Sequence, residues 1–67
     1  MYYITKDNSN GTKEEVRIIE GTIEEAFEAF NEIIREQAYQ YHVEKSMKTW
    51  RIIRLFDENH EQLAQES

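Results

Sequence analysis

Glu24, Glu28, Glu32 and Glu36 recur at every fourth position of a segment whose apolar residues repeat with the period of an α-helix. Side chains four apart stack on one side of a helix, and like charges so placed destabilise it by roughly 0.2–0.5 kcal/mol per pair, or on the order of 1 kcal/mol for three pairs at low salt. Only Arg35, three residues after Glu32, is placed along the helix to relieve them. The helix dipole favours Glu24 and Glu25 but not Glu32 and Glu36, which lie beyond the first turn. Successive charges rise about 6 Å per turn, giving a regular line of anions such as a phosphate backbone also presents. Tyr39, seven residues after Glu32, falls within about 20° of it in helical angle, and an exposed tyrosine beside charges is a frequent interface anchor. Glu24, Glu28, Glu32, Glu36 and Tyr39 are therefore the predicted partner-binding set. The competing reading is a solvated face, since glutamate is a good helix former and exposed charge is commonplace.

Other chemistry is poorly represented. His42 has Tyr41 and Glu44 nearby in sequence, but adjacency along a helix end does not bring side chains onto one face. His42 and His60 are isolated, and the absence of cysteine excludes thiolate metal sites and disulfides. No glycine-rich phosphate loop or nucleophile motif occurs, so no catalytic residue, metal or cofactor is expected, and the chain reads as a non-enzyme. Lys6, Lys13, Arg17, Lys48, Arg51 and Arg54 fall in strand-like segments among Tyr2, Tyr3 and Trp50, a mixture found on single-strand nucleic-acid platforms. Glu14 and Glu15 interrupt that patch, and cross-strand pairing with these acids, with Trp50 in the core, explains it more simply.

Fourteen acids against eight bases give a net charge of −6, which argues against direct nucleic-acid binding and for a partner protein with a basic surface. No segment approaches the ~20 apolar residues that span a bilayer, and the start lacks a secretory pattern, so a cytoplasmic setting is expected. Sixty-seven residues support only a small core, and with disulfides and metals excluded, homodimer formation is the remaining source of stability.

Three strands and one helix are expected to position these residues. Tyr2 to Lys6 is rich in aromatic and β-branched residues, and Asn10-Gly11 is a hairpin signal. In Lys13 to Ile19 the alternation puts Val16 and Ile18 on one face and Glu15 and Arg17 on the other. Gly21 ends the strand, and Thr22 with Glu25 forms a capping-box pattern ahead of a helix that begins near Ile23 and ends between Gln40 and Glu44. Ile23, Phe27, Phe30, Ile34 and Tyr41 form its core stripe, flanked by Ala26, Ile33 and Ala38. Lys48 to Phe56 is the third strand, and Asp57 to His60 a turn.

The expected fold is α+β, a three-stranded antiparallel sheet (β-β-α-β, order 2-1-3) with one amphipathic helix on one face. Residues 1–60 make one compact domain and 61–67 a frayed polar tail. Ile4, Val16, Ile18, Phe27, Phe30, Ile34 and Ile52 are the predicted core, and Tyr3, Thr5, Arg17 and Arg51 the open sheet face. In size, acidity and lack of catalytic groups the chain resembles the small inhibitors of phages and mobile elements, including anti-restriction and anti-CRISPR proteins. That resemblance implies nucleic-acid mimicry by the glutamate ridge. The alternative is a structural homodimer or assembly subunit that uses its open sheet face or edge.

Overall fold

The computed structural model describes residues 1–44 and 50–66, and of residues 40–44 the backbone alone. The chain runs β1 (Tyr2–Asn8), β2 (Lys13–Ile19), α1 (Ile23–Glu44), β3 (Trp50–Phe56) and β4 (Gln62–Glu66). The strands form one antiparallel sheet in the order β2-β1-β3-β4, with α1 on one face. The architecture is α+β with β1 between β2 and β3, but it has four strands and not three. Lys48, expected to start the third strand, lies outside the described residues, as do the side chains of Tyr41, His42 and Glu44.

Local signals act where the sequence placed them. Gly11 adopts a φ of 91° in the first hairpin, closed by the Asn8 amide donating to the Thr12 carbonyl at 2.8 Å. Thr22 caps α1: its Oγ1 accepts from the Glu25 amide at 3.2 Å, and its carbonyl accepts the first helical bond from Ala26. The Glu25 side chain folds back over Gly21, where a Cβ would collide with its carboxylate.

Residues 62–66 of the expected frayed tail form a strand, because the Asp57–Glu61 turn sends them back along β3. Asp57 Oδ1 accepts from the amides of Asn59 and Glu61, each at 2.9 Å, and His60 takes a left-handed φ of 62°. Residues Gln62–Glu66 then pair with β3, and Leu63 and Ala64 pack against the core. An open β3 edge offers a hydrogen-bonding ladder that a polar segment can complete without much apolar content of its own.

Three β-bulges set the faces of the sheet. The β1/β2 register steps from Ile4↔Arg17 to Thr5↔Glu15, leaving Val16 as the extra residue. Likewise Arg51 is extra between the Asp7↔Ile52 and Asn8↔Trp50 pairs, and Leu63 between Leu55↔Ala64 and Phe56↔Gln62. Each bulge turns the residues beyond it to the other face. Trp50, Ile53 and Leu55 thus join Ile4 beneath the helix, where they are buried with Ala26, Ala29, Phe30 and Ile33.

The predicted core is corrected accordingly. Ile4 and Phe30 are buried and Phe27 and Ile34 flank the core, but Val16 and Ile18 are 36% and 48% exposed, and Ile53 replaces Ile52. The helix is also rotated from the predicted stripe, with Ala26, Ala29, Phe30 and Ile33 at its centre and Ile23 exposed. Small alanines let the helix backbone approach the sheet, which leaves Phe27 and Ile34 to fill the flank.

Candidate interaction surfaces

Two surfaces lie on opposite sides of the molecule. The first is the outer side of α1, where Glu24, Glu28, Glu32 and Glu36 are all exposed, followed by Tyr39 at 68% exposure. The helix, fixed at its start by Thr22 and on its inner side by Ala26, Phe30 and Ile33, holds these five residues outward. Relief of the like-charge line comes from the sheet and not from Arg35. Arg17 Nη1 lies 3.8 Å from Glu32 Oε2, and Arg35 forms no ion pair among the described residues. The Val16 bulge is the cause, since it turns Arg17 toward the helix side of the sheet. Both partners are exposed, so the contact is worth at most about 1 kcal/mol. Glu24, Glu28 and Glu36 have no counter-ion among the described residues.

The second surface is the sheet face away from α1. The registers place Tyr3, Thr5 and Asp7 of β1 there, with Ile18, Glu15 and Lys13 of β2, Phe56, Arg54 and Ile52 of β3, and Gln62 and Gln65 of β4. Tyr3 and Thr5 stand where the sequence put them, whereas Arg17 lies on the helix side and Arg51 is a bulge residue. His60 stacks on Tyr3, with centroids 5.4 Å apart and rings inclined by 8°. Arg54 Nη1 donates to Asp7 Oδ2 at 2.7 Å in a largely buried pair, while Asp7 Oδ1 has no hydrogen-bond partner among the described residues. Around this pair is a shallow open depression of about 250 Å³ bordered by Thr5, Lys13, Glu15 and Phe56.

Three of the basic residues of the strands are paired with acids of their own chain. Lys6 Nζ pairs with Glu14 Oε1 at 3.0 Å, Arg17 with Glu32 and Arg54 with Asp7, while Trp50 is buried in the core. The Lys6 ammonium, by hydrogen bond and then by charge, holds the Glu14 carboxyl below its ordinary pKa. Among the described residues no three histidine, aspartate or glutamate side chains are grouped to hold a metal, and no helix is long and apolar enough to cross a membrane.

Comparison with protein-family models, curated proteins and solved structures returns no match. The two surfaces therefore carry the functional reading. Sequence reasoning identified the first, because helical spacing alone stacks the glutamates. It missed the apolar part of the second, because Ile18 alternates like a core residue and no local signal betrays the bulge at Val16.

Proposed function

We propose that this chain is a non-enzymatic protein-binding module whose α1 ridge occupies a basic, nucleic-acid-binding surface of a partner protein, in the manner of an inhibitor from a phage or mobile element. The observation that carries this reading is the exposure of all four glutamates, three of them without a counter-ion among the described residues, beside an exposed Tyr39. A line of like charge that costs folding energy on the order of 1 kcal/mol is kept more readily where a partner repays it. A groove lined with lysine and arginine matches the line in sign and spacing, and Tyr39 supplies an aromatic anchor at its end.

The test compares the wild-type chain with the fourfold E24Q/E28Q/E32Q/E36Q variant, which keeps shape and helix propensity but removes the charge. Both are immobilised and exposed to extract of the native host, and retained proteins are eluted with salt or with short duplex DNA and RNA. The wild type should retain a basic protein that nucleic acid releases, and the variant should not. Relief of the like-charge pairs should raise the variant's melting temperature, and loss of Glu24 at the helix dipole and of the Arg17–Glu32 contact should offset much of that gain. Equal retention by the two chains, or retention that nucleic acid does not disturb, rejects the mimicry reading.

A further inference from the structure

We propose that the open sheet face is a two-fold interface that takes a second copy of this chain. The inference is independent of the glutamate ridge, which lies on the far side of the molecule.

Charge selects this face. The chain carries −6, so two copies repel over most of their surface. The open face balances: Lys13 and Arg54 stand against Asp7 and Glu15. Six net negative charges must then lie elsewhere, many of them on α1. It is also where β2 exposes apolar surface, with Ile18 48% exposed in the same cross-strand row as Tyr3 and Phe56.

The sheet edges are poorer candidates. β2 and β4 are the outer strands, and each is interrupted by a bulge, at Val16 and at Leu63. Bulges and edge charges, here Lys13, Glu14, Glu15 and Arg17 on β2, are the usual devices that prevent edge-to-edge pairing. Association through a face escapes both obstacles.

The residue pattern is self-complementary about one axis. A two-fold running along β1 exchanges β2 with β3, because these strands flank β1 on either side. In the row through Tyr3 it lays Ile18 over the partner's Phe56, and Tyr3 over the partner's Tyr3. In the row through Thr5 it lays Glu15 over the partner's Arg54. Glu15 has no ion pair within its own chain among the described residues. Asp7 falls on the axis, but the Arg54 of its own chain already compensates its charge. Sheets packed in this way sit about 10 Å apart with side chains interdigitated. The face spans about 20 by 20 Å, so about 400 Å² per copy can be covered, the size of a weak and reversible contact.

Sedimentation equilibrium from about 1 to 200 µM tests this, a range in which weak dimers form and dissociate. The variants are Ile18→Lys, Glu15→Lys and, on the helix, Glu28→Gln. The wild-type chain and Glu28→Gln should dimerise alike, while Ile18→Lys and Glu15→Lys should each weaken the dimer at least about tenfold. Circular dichroism confirms that each variant is folded. If Ile18→Lys is not, Glu15→Lys decides alone, since Glu15 is exposed and makes no ion pair among the described residues. A wild-type chain that is monomeric throughout overturns the proposal, as does a dimer that Glu15→Lys leaves intact. Neither outcome bears on the ridge, which the extract experiment probes separately.

Discussion

Arg54 reaches diagonally across the sheet to Asp7, placing its Nη1 2.7 Å from Asp7 Oδ2 although its direct neighbour on β1 is Thr5. The pair fastens the central strand to β3 on the face that the helix does not cover. Both side chains are about four-fifths buried, at 22% and 18% exposure, so the contact lies between the exposed and the fully buried cases. Removing one partner leaves a charge with little access to water.

Arg54→Met should therefore cost about 2 kcal/mol, above the ~1 kcal/mol ceiling of surface pairs and below the 3–5 kcal/mol of fully buried ones. Urea denaturation measures it. A cost near zero would mean that Asp7 is hydrated without Arg54.

At the centre of the helix face, Phe30→Ala should cost about 3–5 kcal/mol, enough to unfold much of a domain this small. Phe27→Ala should cost clearly less, because Phe27 is only partly buried at the flank. Thermal melts of the two variants establish the order, and a larger loss at Phe27 would restore the stripe read from the sequence.

The bulge at Val16 is tested by the contrast between neighbouring strands. Ile18→Thr should change monomer stability by no more than about 0.5 kcal/mol, as expected for an exposed site. Ile53→Ala, at a fully buried position, should cost about 2–5 kcal/mol. Chemical denaturation at concentrations where the chain is monomeric gives both values, and a core-sized loss at Ile18 would mean that β2 runs without a bulge.

Glu14 gives the stability a pH dependence of known sign. Its folded pKa is depressed by Lys6, so its contribution is fully present above the unfolded value and is lost as the pH falls through the lower folded value. Wild type should melt above Glu14→Gln at pH 7, and the gap should begin to close near pH 4.3, the ordinary glutamate value, and vanish at lower pH. A gap that persists unchanged in acid would assign it to packing and not to charge.

Truncation after His60 should destabilise the protein, since it removes β4, uncovers the β3 edge and takes Leu63 and Ala64 from the core. Hydrogen exchange should meanwhile show protected amides in residues 62–66 of the full chain. A truncated chain that melts like the full one would return those residues to a dispensable tail.

Much of this architecture is written locally. Asn10-Gly11 sets a hairpin, Thr22 and Glu25 start a helix, and four glutamates spaced by four must share a side of it, because backbone conformation and helical period depend only on neighbouring residues. What neighbours cannot determine is which side meets the core. The bulges at Val16, Arg51 and Leu63 arise from fitting a twisted strand against its partner, and each reverses inside and outside for the residues beyond it. Ile18 is thereby turned outward and Trp50 inward, Arg17 reaches Glu32, and the fourth strand exists only because β3 leaves a ladder for residues 62–66 to complete. The ridge is thus a property of the sequence, whereas the charge-balanced open face, with its row of Ile18, Tyr3 and Phe56, is a property of the register, which only the assembled sheet decides.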